Sequence, residues 1–134
     1  MPHLVVLYTA NLETETDMQL LCRRLADAML AVRDERAAQV YPTGGVRVLA
    51  YPASHYAVAD GQRDYAFVYL NLRMARGRSE AVRRSAGEAL LAVAKAHFEP
   101  LFARRHIGLT LQIDEGQEVF DAKHSTIHPL FAKD

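Results

Sequence analysis

Tryptophan is absent from this chain, lysine is scarce, and cysteine occurs once, as Cys22. A single thiol cannot close a disulfide within the chain, which fits a reducing compartment, and a cytoplasmic location is expected. Neither sign of charge is in excess: 16 Lys and Arg balance 16 Asp and Glu, for a net charge of zero. Nucleic acid and anionic membrane surfaces both demand surplus positive charge, so neither is an expected partner. No apolar run approaches the roughly 20 residues that cross a bilayer. The opening Met-Pro-His-Leu-Val-Val-Leu-Tyr has no basic region before its apolar run, and Thr9, Asn11 and Glu13 cut that run short. It does not read as a signal peptide.

Half of the 134 residues are hydrophobic, which suits one folded domain spanning 1–134 and excludes a disordered chain. Leu4 to Tyr8 is a short apolar run with β-branched residues, the pattern of a strand covered on both faces. Asn11 to Asp17 follows, rich in N-cap residues and acids. Met18, Leu21, Leu25, Met29 and Val32 then recur at spacings of three and four, one face of a helix with Cys22 on its shoulder. Pro42, Gly44 and Gly45 break the chain before a second strand from Val46 to Tyr51, with a continuation to Val58 allowed.

The pattern then restarts. Tyr65 to Leu70 reads as a strand running on through Arg73, and Ser79 caps a helix with apolar positions at Val82, Ala86, Ala89, Leu90, Val93 and Leu101. Ile107, Leu109, Leu111 and Ile113 alternate with polar residues or glycine as a last strand. The offset between the halves is about 62 residues, with little residue identity across it, so the repeat is structural. The expected fold is α+β: two βαβ pseudo-repeats, about 2–58 and 64–115, joined at the turn pair Asp60-Gly61 and followed by a tail, 116–134. Parallel pairing within each half makes a four-stranded sheet with two helices on one face. The other face is left bare although the first strand is apolar on both sides, so copies of the same chain are expected to cover it.

Few residues suggest chemistry by themselves. His124 and His128 lie four apart, but in a loop-like tail, and no Cys/His spacing marks a metal site. The nucleophile elbow and the phosphate-binding loops are missing. Thirteen of the sixteen basic residues are Arg, whose planar fork grips carboxylates, although codon bias accounts for most of that skew. Arg76-Gly77-Arg78-Ser79 places guanidinium groups at a helix start, where backbone N–H groups favour an anion. Pro2 is the most informative residue. Removal of Met1 would leave a secondary amine; at the start of a buried strand and beside a cation, its pKa falls below the ordinary value near 8. Neutral at pH 7, it can serve as general base and acid.

Taken together, Pro2 opening a strand, Gly-Gly-Val-Arg47, Ala-Asp-Gly-Gln-Arg-Asp-Tyr-Ala-Phe-Val-Tyr (59–69), Gly-Arg78-Ser and His97-Phe98 resemble the 5-carboxymethyl-2-hydroxymuconate isomerase family. That family is a branch of the tautomerase superfamily, with 4-oxalocrotonate tautomerase and macrophage migration inhibitory factor. The tail departs from the family pattern Lys-x-Asn-Asn-x-His, carrying Ser125 and Thr126 where the two Asn stand.

The resemblance implies a tautomerase-like fold, a homotrimer and a cofactor-independent isomerase of a small dienol carboxylate formed in bacterial homoprotocatechuate degradation. It implies Pro2 as the catalytic base, and arginines at Arg47 and Arg78 that serve the substrate. We expect Arg78 beside the reacting end as a catalytic residue and Arg47 as the substrate-binding anchor of a remote carboxylate. Two other readings stay open: a sister tautomerase of another enol acid, and a non-catalytic trimer that binds a small carboxylate.

Overall fold

A computed structural model of the chain describes residues 2–131. The elements run β1 (His3–Thr9), α1 (Met18–Ala31), β2 (Arg47–Ala53), β3 (Tyr65–Met74), α2 (Glu80–Phe102) and β4 (His106–Glu115). Short 3-10 turns lie at Ala10–Leu12, Thr43–Gly45 and His128–Phe131. The sheet order is β2-β1-β3-β4. β1 pairs parallel with β2, β3 pairs parallel with β4, and the central β1 and β3 run antiparallel. This is the expected doubling of a strand–helix–strand unit.

Side chains alternate across the sheet because successive Cβ atoms point to opposite faces. Leu4, Val6 and Tyr8 of β1 and Ala66, Val68, Leu70 and Leu72 of β3 are buried on the helix side. There they meet Leu21, Leu25 and Met29 of α1 and Ala86, Leu90, Ala94 and Phe98 of α2 in one core cluster. The α1 stripe is the one read from spacing, with Val32 buried just past the helix end. On α2, Ala94 and Phe98 complete a stripe whose 3.6-residue drift leaves Ala89 and Val93 only half-buried. Thr16, in the turn before α1, meets His97 of α2 at 2.8 Å, and burial lowers the imidazole pKa there. His97-Phe98 is therefore a packing pair.

The element boundaries agree with expectation except at one strand end. A 3-10 turn, Ala10–Leu12, follows β1, and Asp17, the last residue of the cap-rich stretch, caps α1, accepting a hydrogen bond from Leu20 N–H at 3.0 Å. β2 stops at Ala53 and does not reach Val58. It is an edge strand carrying Pro52, which has no N–H to donate to a ladder. At the joint between the halves Gly61 adopts φ +71°, and its N–H closes on Val58 O at 3.2 Å. Ser79 caps α2 as expected, accepting from Val82 N–H at 3.2 Å.

Among the described residues, no helix is long and apolar enough to cross a membrane. The face of the sheet away from the helices stays open. Leu7, Leu49 and Tyr51 are each more than 40% exposed on it, beside half-buried Val5, Phe67 and Tyr69.

Phe98 is fully buried at the centre of the core. Phe98→Ala should cost about 3–5 kcal/mol by leaving a cavity, measured by denaturant unfolding at fixed protein concentration. Leu91→Ala, on the exposed side of the same helix, should cost under about 1 kcal/mol.

Candidate active site

Pro2 immediately precedes β1 and is buried. A proline at the first position of a strand costs no ladder hydrogen bond of its own, yet its carbonyl still accepts one. Here that carbonyl takes the Arg47 N–H at 3.3 Å, the first link between β1 and β2. The Arg47 guanidinium folds back over the 3-10 turn, donating from one terminal nitrogen to Gly44 O at 2.7 Å and Val46 O at 3.2 Å. Its fork is thus held in position with other donors left over.

The strand register builds the rest of this end of the sheet. His3 is the partner of Arg47 on one side and of Arg73 on the other. All three share the open face, so an arginine stands in register on either side of one histidine. Burial is the larger cause that lowers the His3 pKa, and neighbouring positive charge, Arg47 included, adds to it. A neutral ring between two arginines offers a hydrogen bond without adding to their repulsion.

Those three residues line a cavity of about 720 Å³ that the tail roofs with Glu118 and residues 121–127. The tail is pinned where it crosses the 3-10 turn before β2. A Cβ on Gly44 would lie 2.8 Å from His128 Cα, so only glycine admits this crossing. Ser125 Oγ accepts from Ile127 N–H at 3.0 Å and His128 N–H at 3.3 Å. One of the two residues that depart from the family pattern therefore shapes the tail locally. Within the cavity Lys123 and Asp121 pair at 2.6 Å, and that bond holds the Asp121 carboxyl below its usual range. Arg73 and Glu118 make a looser pair at 3.8 Å.

Arg78 follows Gly77, whose φ of +106° favours glycine, and stands just before the Ser79 cap of α2. Its guanidinium donates to Ala75 O at 3.1 Å and Val40 O at 3.3 Å and lies over the Tyr41 ring, 5.1 Å from the centroid. Tyr41 is buried and donates to the Met74 sulfur at 3.2 Å, and Met74 closes β3 next to Arg73. Burial raises the Tyr41 pKa despite the opposing pull of Arg78. Arg78 opens into a separate cavity of about 270 Å³ that also holds Asp34 and Glu35.

Pro2 and Arg47 are thus joined directly through the ladder. Arg78 stands apart, connected through Tyr41 and the segment 40–46. Arg76 is exposed and lines neither cavity. The residues that the sequence reading missed are His3, Arg73 and Tyr41. A strand-face alternation would have put Arg73 on the open face, but its pairing with His3 depends on a register that no local pattern sets. Among the described residues, no three His, Cys, Asp or Glu side chains gather as a metal site.

Comparison with known proteins places this arrangement. A curated Escherichia coli protein, 5-carboxymethyl-2-hydroxymuconate Delta-isomerase, is 31% identical over 131 residues, covering 98% of this chain and 99% of its own. A crystal structure of a 5-carboxymethyl-2-hydroxymuconate delta-isomerase is 57% identical, covers 100% of this chain and 95% of its own, and superposes with a TM-score of 0.95. A 5-carboxymethyl-2-hydroxymuconate isomerase from Deinococcus radiodurans R1 gives 38% identity and a TM-score of 0.86, over 97% of this chain and 93% of its own. Native fused 4-OT, at 20% identity and a TM-score of 0.60 over 98% of this chain and 99% of its own, shares the α+β tautomerase fold alone. The family model for 5-carboxymethyl-2-hydroxymuconate isomerase matches residues 2–131. With its two helices and four-stranded sheet, this chain belongs to the 5-carboxymethyl-2-hydroxymuconate isomerase family.

Proposed function

We propose that this chain is a cofactor-independent isomerase of 5-carboxymethyl-2-hydroxymuconate or a close dienol carboxylate, with the Pro2 nitrogen as base and acid. The observation that supports it most is the pairing of buried Pro2 with Arg47 at the end of the sheet, beside a cavity rich in arginine. Burial and a neighbouring guanidinium both disfavour an ammonium, so the free secondary amine is neutral near pH 7. It takes the proton of the 2-hydroxyl and returns it to the distant carbon of the diene, leaving the conjugated 2-oxo isomer. Negative charge moves along the diene in the transition state. A guanidinium beside the 2-oxo and 1-carboxylate oxygens stabilises it, the role we give to Arg78; because Arg78 of the same chain opens into a separate cavity, it would be supplied by a neighbouring copy. Arg47 anchors a remote carboxylate and so positions the diene. The setting is a cytoplasmic one, in bacterial homoprotocatechuate degradation.

Two readings remain as competitors. A sister tautomerase of another enol acid would use the same base, and rates on 2-hydroxymuconate, enol phenylpyruvate and the carboxymethyl substrate separate the two. A non-catalytic carboxylate-binding trimer would bind ligand without exchanging product protons in deuterated water. Neighbouring genes for ring-cleavage enzymes would favour the isomerase.

The arginine roles separate in steady-state kinetics. Arg47→Ala should chiefly raise KM, whereas Arg78→Ala should lower kcat on the order of 10²-fold. Arg76→Ala is the control. A crippled Arg76→Ala beside an intact Arg78→Ala would show that the wrong residue had been assigned.

The open face, where Leu7, Leu49 and Tyr51 meet solvent in the single chain, supports a homotrimer. Three copies arranged around an axis would bury it. Light scattering at low concentration should give three times the 15.0 kDa chain mass; a stable monomer would contradict the trimer.

Met1, whose removal the mechanism requires, lies outside the described residues. While it is present the Pro2 nitrogen is an amide, with its lone pair in peptide resonance. Protein shown by mass spectrometry to retain Met1 should be nearly inactive beside processed protein. Equal rates would remove Pro2 as the base.

A further inference from the structure

Two arginines account for two carboxylates, yet the substrate named above has three: the two ends of the muconate chain and the carboxymethyl branch. The cavity lined by His3 and Arg47 holds a further guanidinium that the reading so far leaves unused. Arg73 is on the open face of β3, paired across the sheet with His3, which is paired in turn with Arg47. Two strand spacings put the backbones of Arg47 and Arg73 roughly 10 Å apart on one face. Both line the cavity of about 720 Å³, while Arg78 opens elsewhere.

We propose that Arg73 is a third carboxylate anchor, gripping the carboxymethyl branch, with the His3 imidazole between it and Arg47. This rests on the isomerase reading for its substrate and gives the site a selectivity, for three carboxylates over two. The charges around Arg73 agree. Lys123 is already tied to Asp121 at 2.6 Å, so it offers less to a ligand. Among the described residues Arg73 has only Glu118 at 3.8 Å, with both side chains about half exposed. So long and wet a pair is worth little, and a substrate carboxylate forming a bidentate bond displaces it. Glu118 thus marks the side of Arg73 from which the branch carboxylate would bind. The core does not depend on Arg73, whose neighbours Leu72 and Met74 are the buried ones.

The test is Arg73→Ala against wild type on two substrates, 5-carboxymethyl-2-hydroxymuconate and 2-hydroxymuconate, which lacks the branch. KM for the first should rise about tenfold, the size of one partly exposed charge-assisted hydrogen bond. KM for the second should stay within about twofold, as should kcat for both, because the anchor binds ground and transition states alike. An equal rise on both substrates, or none on either, would overturn the proposal. Calorimetry with unreactive acids provides an arm that needs no turnover. Arg73→Ala should bind tricarballylate at least about fivefold more weakly and glutarate as before; unchanged tricarballylate affinity would overturn the anchor. Wild type that turns over neither dienol would sink the isomerase reading, while the calorimetry still decides on Arg73.

Discussion

The site depends on the central position of β1. Its inward residues Leu4, Val6 and Tyr8 are buried under the helices, and both its edges are hydrogen-bonded, to β2 on one side and β3 on the other. A strand fixed on three sides cannot slide, because a slip of one residue would turn its apolar side chains out of the core. Pro2 therefore has a fixed place at the end of that strand, with its carbonyl on the Arg47 N–H at 3.3 Å. An amine used as a base needs this kind of support, since it has no side chain by which to be positioned.

The same pairing recruits the charges. In β1 the next residue is His3, and the two neighbouring strands bring Arg47 and Arg73 to either side of it. Opposite the site, Arg105 is only 10% exposed; it donates to Glu15 Oε1 at 2.8 Å, Asp64 Oδ2 at 3.0 Å and Asn11 O at 3.2 Å, and ties the far end of the sheet. The arginines thus divide between two tasks. Arg105 is satisfied by carboxylates of the chain itself. Arg47 is held by carbonyls and Arg73 by a distant carboxylate, which leaves both with capacity for an anion.

Much of the fold was legible because hydrophobic spacing reports it directly. The stripe from Met18 to Met29 has a helical period, and the runs Leu4 to Tyr8 and Tyr65 to Leu70 are short, bounded and rich in β-branched or aromatic residues. The end of β2 was not, since whether Pro52 ends an edge strand depends on what lies beside it. Pro2 and Arg78 stood out by their chemistry, but their roles in the site, and the choice of Arg47, came from a resemblance. Arg73 and His3 depend on register, and the crossing of His128 over Gly44 depends on contact between distant segments. Neither leaves a local signal. The gap between Arg78 and the Arg47 cavity was also illegible, because side-chain direction at a helix start follows from packing on Tyr41.

The central claim is that burial beside Arg47 makes the Pro2 nitrogen a neutral base. The direct measurement is a ¹⁵N NMR titration of processed protein labelled at proline, followed alongside kcat/KM over the same pH range. The account predicts that the Pro2 nitrogen titrates clearly below the ordinary α-amino value of about 8, with a limb of kcat/KM at the same pH. A nitrogen that titrates at or above about 8, or a rate limb that does not coincide with it, would contradict the account.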